Sequence, residues 1–321
     1  MKDKFGREIN YLRISVTDRC NLRCRYCMPA EGFAHLIPRE EILSFEEIIR
    51  LVKAAASLGI YKIRLTGGEP LVRHSIIELI RSINAVEGIR EIAITTNGIL
   101  LADMADDLKA AGLKRVNISL DTMDPAKFAE ITRGGDIQKV LDGIKAAQRV
   151  GLTPVKINTV ALGGFNDMEF GDFIELTRDN DICVRFIELM PIGSADVGDG
   201  YGFISNQEIL KRFPELVPEK KEKYSVSVNY RLPGAKGTVG LISALSNHFC
   251  AECNKIRMTS DGKIKPCLHS NEEIPLKSVL ANGSDQEVVE ALAESIGHKV
   301  EHHLLNEGAA PIYRDMNKIG G

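Results

Sequence analysis

Apolar and polar residues alternate with a period of two in six short runs, 11–17, 61–66, 91–96, 115–120, 154–160 and 182–189, and each run reads as a β-strand. Between the runs the apolar spacing lengthens to that of an amphipathic helix. Helix starts carry capping-box spacing at Ser44 with Glu47, Ser75 with Glu78, Asn166 with Glu169 and Ser205 with Glu208, the last opening a sixth helix over 205–213. Asp124 followed by Pro125 opens another. Strands separated by helices imply βαβ units on a parallel sheet, and six such units make three-quarters of an eight-stranded barrel. The expected fold class is α/β, an incomplete (β/α)6 TIM-like barrel.

Parallel strands covered on both faces read as continuous apolar runs. These do not. Leu12, Ile14 and Val16 alternate with Arg13, Ser15 and Thr17, and Ile63 and Leu65 alternate with Lys62, Arg64 and Thr66. Thr95 and Asn97, then Asn117, Ser119 and Asp121, then Lys156 and Asn158 continue the polar side. One face of each strand therefore packs on helices while the other is polar and basic. Unpaired charge does not sit in a dry core, so the barrel lumen is expected to be wet and to bind an anion. An antiparallel sheet with a solvated face would give the same alternation, but the intervening helices oppose it. The sixth run fits less well, because Arg185 and Glu188 have opposite parity; a bulge would accommodate them.

Beyond a glycine-containing stretch at 191–202 and a charged run at 218–223, shorter β-rich runs occur at 226–230, 239–242 and 256–258, followed by a helix at 286–296. The chain then divides into a partial barrel over 1–213 and a smaller C-terminal domain over 214–321, packed against the barrel's open side.

With 321 residues, 44% of them hydrophobic, the chain can bury a large core. Its net charge of -3 leaves no global basic footprint for nucleic acid, so any anionic ligand must be held by local arginines and lysines. Trp is absent, which argues against a stacking platform for single strands. No apolar stretch approaches the roughly 18 residues of a membrane span, and Met1 to Glu8 lacks the apolar part of a secretion signal. A cytoplasmic, reduced protein without membrane or nucleic-acid partners is expected.

The seven cysteines add the chemistry. Cys20, Cys24 and Cys27 are spaced C-x3-C-x2-C, Cys250, Cys253 and Cys267 form a second set of three, and Cys183 lies in an apolar run as a small core residue. Three thiolates do not close a site. They suit a zinc ion completed by a histidine, His35 for the first set or His269 for the second, or a four-iron cluster with one iron left open.

The run Arg19 to Pro29, with Tyr26 just before the last cysteine, resembles the signature of the radical S-adenosylmethionine enzymes, whose open iron chelates the methionine end of the cofactor. Thr66-Gly67-Gly68-Glu69-Pro70 resembles the segment that binds the cofactor's amino group in those enzymes, and Ser119 and the turn Glu188-Leu189-Met190-Pro191 stand at their ribose- and adenine-contacting positions. Arg64 to Arg73, Phe249 to Thr259 with Asp261-Gly262 and Cys267-Leu268, and the terminal Ile319-Gly320-Gly321 narrow the resemblance to the GTP 3',8-cyclases of molybdenum cofactor biosynthesis, over nearly the whole chain.

That resemblance implies two 4Fe-4S clusters, one on each three-cysteine set, the second in the C-terminal domain with its open iron at the guanine ring. It implies S-adenosylmethionine held by Tyr26, Gly68, Glu69, Ser119 and Met190, and GTP held by Arg13, Arg64, Thr95, Lys156, Arg185, Lys255 and Arg257, with Arg257, Gly320 and Gly321 as catalytic parts. The implied reaction takes hydrogen from ribose C3', joins C3' to C8 of guanine, and yields (8S)-3',8-cyclo-7,8-dihydroguanosine 5'-triphosphate, methionine and 5'-deoxyadenosine. A reductant such as flavodoxin or ferredoxin, and hand-over to a cyclic pyranopterin monophosphate synthase, are implied with it; a homodimer is left open. Lys255 departs from the family's usual arginine and loses the bidentate fork. The competing readings are a peptide-modifying radical enzyme with an auxiliary cluster and a non-catalytic redox or iron sensor.

Overall fold

The computed structural model describes residues 1–32, 36–192, 201–221, 223–303 and 314–319. Six parallel strands, β1 (Tyr11–Ser15), β2 (Lys62–Thr66), β3 (Glu91–Thr96), β4 (Arg115–Ser119), β5 (Val155–Gly163) and β6 (Ile182–Glu188), lie side by side in chain order. Their links are α1 (Phe45–Ser57), α2 (Ile76–Asn84), α3 (Leu101–Ala110), the pair α4 (Pro125–Thr132) and α5 (Ile137–Arg149), and α6 (Phe170–Asp179). The α/β class and the parallel sheet are as expected. Leu12, Ile14, Ile63, Leu65, Ile92, Ile94, Val116 and Ile118 are buried beneath the helices with Leu51, Leu79, Leu108 and Val140. Each such side chain contributes about 1.5–3 kcal/mol of burial, which is what fixes the strand parity and turns the opposite faces toward one side.

After β6 come β7 (Gly202–Phe203), α7 (Asn206–Arg212), β8 (Val217–Pro218), β9 (Val228–Arg231), β10 (Thr238–Ile242), β11 (Lys255–Met258), β12 (Lys263–Lys265), β13 (Ile274–Pro275), α8 (Lys277–Asn282), α9 (Asp285–Gly297) and α10 (Met316–Ile319). These strands extend the sheet at both edges: β10 adds parallel to β6, and β11 adds parallel to β1, with Arg13 opposite Arg257. An exposed sheet edge is thereby covered on each side. No helix among the described residues is long and apolar enough to cross a membrane.

Some local expectations hold and others do not. Ser44 and Glu47 form the capping box of α1, and Asp124 accepts from the N–H groups of Ala126 and Lys127. Ser75 stands before α2 in a left-handed conformation (φ 58°), its hydroxyl paired with His74 Nδ1 instead of a helix N–H. Asn166 caps nothing. Its amide donates to the carbonyls of Asp121 and Val160, so α6 starts only at Phe170. Glu208 pairs with Lys211, leaving Ser205 to cap α7 through Gln207 N–H. There is no bulge in β6: its register against β5 runs unbroken from Ile182 to Glu188. The opposite parity of Arg185 and Glu188 is real, and they face different environments.

Candidate active site

Two adjoining chambers open on the polar side of the sheet. The first, about 210 Å³, is lined by Cys20, Cys24, Cys27, Tyr26, Gly67, Gly68, Glu69, Thr95, Ser119 and Asp121. The second, about 340 Å³, holds Arg13, Arg64, Lys156, Arg185, Lys255 and Arg257, with Cys250, Cys253 and Cys267 in its wall. Asn158, Ile187, Met190 and Met316 line both. Gly320, Gly321 and His35 lie outside the described residues.

In the first chamber the cysteine loop and the glycine segment are laced together by backbone. Gly68 N–H donates to Thr17 O and Glu69 N–H to Arg19 O, both at 2.8 Å, immediately before Cys20. A Cβ at Gly68 would lie 2.3 Å from Arg19 O and 2.8 Å from Asp18 O, so only glycine permits this approach. Glu69 is 1% exposed and accepts from Leu71 N–H, Thr96 Oγ1 and Asn97 N–H. It locks the segment onto β3, with acceptor capacity left for one further donor. Burial pushes its carboxyl up to about 7 despite those three donors. Tyr26 donates to Asp121 Oδ2 at 2.5 Å, and Asp121 Oδ1 accepts from Val160 N–H. Burial raises Asp121 to about 6. Asp121 sits on the polar parity of its strand, but nothing in the sequence marks it as the partner of Tyr26.

The Cys24 thiol is pushed up by burial and then by Cys27, Asp121 and Cys20, and Cys250 by burial and then by Cys267 and Cys253. Each set is thus a sulfur cluster whose thiolates need a positive partner. Among the described residues no three His, Cys, Asp or Glu converge as on a single ion. A cubane takes each sulfur on a different iron and spreads its ligands, so the donor sets suit such clusters. His269, the alternative zinc ligand, meets Met190 Sδ at 3.1 Å and the His303 ring instead.

The floor of the second chamber is a product of strand register. Arg257, Arg13 and Arg64 are paired across β11, β1 and β2, and Lys255, Tyr11 and Lys62 form the row before them. Like charges placed directly across strands repel. Arg64 donates to the Tyr11 hydroxyl and to Thr95 Oγ1 (3.2 Å), while the Lys62 and Lys255 ammonium groups lie 5.0 and 5.5 Å from the Tyr11 ring centroid. Lys62 is neutralised by Glu91 at 2.7 Å. Lys156 and Arg185, from β5 and β6, have no carboxylate partner among the described residues. Burial, then Arg185, brings Lys156 down to about 7. Burial alone would raise Tyr11, yet Arg64, Arg13, Lys62 and Lys255 outweigh it and hold the phenol near 7.

Supports absent from the sequence reading come from the C-terminal end. Lys299, 2% exposed, donates to the carbonyls of Lys255 and Pro266 and lies 3.8 Å from Cys253 Sγ. With Lys255 it outweighs burial and lowers the Cys253 thiol. A lone lysine after a helix gives no such signal in sequence. Tyr11 could have been found, because it shares the parity of Arg13.

Residues 14–177 match the Radical SAM superfamily and residues 182–305 match Molybdenum Cofactor Synthesis C. The fold and the three-cysteine chamber thus define a radical S-adenosylmethionine protein, a class that uses this cofactor with a 4Fe-4S cluster. A GTP 3',8-cyclase of Alkaliphilus oremlandii is 56% identical over 322 residues, with 100% of both chains covered. One of Peptoclostridium acidaminophilum is 54% identical over 324 residues, covering 99% of this chain and 98% of that one. The chain belongs to the GTP 3',8-cyclase family of the radical S-adenosylmethionine superfamily. In fold it is also similar to Streptococcus suis SuiB bound to the precursor peptide SuiA, with a TM-score of 0.59 at 15% identity over 97% of this chain and 76% of that one.

Proposed function

We propose that this chain converts GTP and S-adenosylmethionine to (8S)-3',8-cyclo-7,8-dihydroguanosine 5'-triphosphate, methionine and 5'-deoxyadenosine. The observation that carries this is the cationic floor of the second chamber, three arginines in register with Lys156 and Arg185 beside them, facing a chamber that shares a wall with the three-cysteine loop. S-adenosylmethionine and the cluster on Cys20, Cys24 and Cys27, when bound, supply the 5'-deoxyadenosyl radical. This chain's own work is placement: the arginines and lysines hold the triphosphate, and the shared wall at Asn158, Ile187 and Met190 keeps water from the reacting ribose. Cys250, Cys253 and Cys267 would hold a second 4Fe-4S cluster at the base end, and Gly320 and Gly321 would complete the site. The division into 1–213 and 214–321, the reductant (flavodoxin or ferredoxin), the cytoplasmic setting and hand-over to a cyclic pyranopterin monophosphate synthase belong to the same reading. Neither a peptide substrate nor a sensor gives the cation rows a purpose.

Anaerobic turnover of reconstituted protein with S-adenosylmethionine, reductant and each nucleoside triphosphate in turn is the direct test; product from a nucleotide other than GTP, or none, defeats the proposal. Reconstituted protein is expected to hold about eight iron atoms per chain, two cubanes' worth, and zinc on the second set after anaerobic purification would contradict this. Lys156→Ala and Arg257→Ala should each weaken GTP binding by one to two decades, roughly 1.5–3 kcal/mol for a lost charge-assisted contact, while cofactor binding stays near wild type.

The pH dependence has a definite sign. A bound triphosphate favours the Lys156 ammonium and disfavours a Tyr11 phenolate, so affinity is highest below about 7 and falls as pH rises through it. Lys156→Arg, which stays protonated, should flatten much of that fall in GTP titrations. A variant as steep as wild type would show that Lys156 does not titrate in this range.

A further inference from the structure

Residues 299–301, just beyond α9, tie down every arm of the second cysteine set. The Lys299 ammonium donates to Lys255 O at 2.7 Å and to Pro266 O at 2.9 Å, which lie two residues after Cys253 and one before Cys267. The carbonyls of Val300 and Glu301 accept from the Arg7 guanidinium at 2.6 and 2.8 Å, and the same guanidinium donates to Cys250 O at 2.9 Å. One three-residue segment thus links all three cysteines. Its two cations differ, however. Arg7 is paired with Asp3 at 2.7 Å, whereas Lys299 meets no carboxylate among the described residues. Lys299 is 2% exposed and lines neither chamber, so it is no nucleotide contact.

A buried charge without a counter-charge is costly. An ammonium has three N–H groups and no acceptor, and two of these go to carbonyls. What remains within reach is Cys253 Sγ, at 3.8 Å, the one group here that becomes anionic when it binds metal. The first set has the opposite surroundings, because the carboxylates of Glu69 and Asp121 line its chamber. Net charge and hydrogen bonds at the sulfurs set the reduction potential of an iron-sulfur cluster, since an electron added beside a cation is stabilised.

We propose that Lys299 is a positioning residue of the second cluster: it ties the Cys253 and Cys267 arms together and holds a buried positive charge against the Cys253 sulfur, which makes that cluster easier to reduce. This inference rests on the two-cluster reading above. It gives the unpaired ammonium a partner that carries charge.

The test is a reductive titration of anaerobically reconstituted holoprotein with dithionite, followed by electron paramagnetic resonance, for wild type, Lys299→Met and Lys299→Arg. Each cluster takes one electron from dithionite, and no bond is made or broken. S-adenosylmethionine binds at the first set, so the signal that it alters belongs to the first cluster and serves as the internal control. Lys299→Met should keep about eight iron atoms per chain, with the first cluster unchanged. Its second-cluster midpoint should fall by roughly 59 mV, a tenfold loss in the reduced-to-oxidised ratio of a one-electron couple. A chelator should also strip that cluster roughly tenfold faster. Lys299→Arg, which keeps the charge, should hold a midpoint close to that of wild type. Should Lys299→Met lose the second cluster, Lys299→Gln takes its place, since it keeps donors for the carbonyls but no charge. If neither uncharged variant holds the cluster, its retention by Lys299→Arg upholds the role and its loss there overturns it. An uncharged variant with the wild-type midpoint also overturns the inference. Wild type with only about four iron atoms would instead strike at the two-cluster reading and carry this inference down with it.

Discussion

Gly68→Ala should nearly abolish S-adenosylmethionine binding. The added methyl group would have to occupy space 2.3 Å from Arg19 O, 2.6 Å from Arg19 C and 2.8 Å from Asp18 O, all main-chain atoms that no rotamer change can move. Overpacking in a well-filled site typically costs about 1–3 kcal/mol, and here relief is available only by pushing 17–19 away from the glycine segment. That movement breaks the bonds from Gly68 and Glu69 to Thr17 and Arg19, and the displaced strand end runs straight into Cys20. Cofactor affinity should fall by about two decades or more, an estimate that treats the displacement as loss of the cradle as well as overpacking. Gly234→Ala serves as the control: its φ of +79° strains alanine, but nothing lies within 4 Å of the new Cβ. A cofactor titration in which Gly68→Ala matches wild type would refute the lacing argument.

Glu188→Ala should be among the most destabilising single changes in the chain. Glu188 has no exposed surface, and its carboxylate accepts from Asn206 N–H (3.2 Å), Leu245 N–H (3.0 Å), Ser246 N–H (2.9 Å) and the Ser246 hydroxyl. Alanine strands one buried and two part-buried main-chain donors, the buried one costing about 1–3 kcal/mol and the other two less, so a total near 3–5 kcal/mol is expected. The melting temperature should drop by on the order of 10 °C. Because Leu245 and Ser246 lead directly to His248 and Cys250, GTP affinity should fall with it. Glu188→Gln, which keeps acceptor oxygen on the same stem, should lose less. Unaltered melting of Glu188→Ala would mean that these donors find other partners.

Glu188 also shows where sequence reading stops. Strand periodicity located all six parallel strands to within a few residues, because burial of one face forces alternation and nothing in the tertiary structure overrides it. The same parity announced the basic side of the sheet and named Arg13, Arg64 and Lys156. Thr95 was linked to the nucleotide only by the family resemblance; it lines the first chamber, and its hydroxyl accepts from Arg64, which lines the second. Asn166 and Ser75 have helix-cap spacing but serve other contacts, since a cap is one of several short-range bonds those side chains can make. Arg185 and Glu188 looked inconsistent because a strand end can be lined by two environments, which a one-dimensional pattern cannot separate. Lys299 was silent, as its partners lie 30 or more residues away.

The pairing of β11 with β1 joins residues 11–14 to residues 255–258. Chain synthesis proceeds from the N-terminus at roughly 5–20 residues per second, so β1 waits on the order of ten seconds with that edge bare before its second neighbour has been made. Contacts this distant in the chain form late and slow the search for the native state. The arginine row that spans β11, β1 and β2 cannot exist in any nascent chain that ends before Arg257, and a triphosphate can be gripped by all three arginines only once most of the polypeptide has been made.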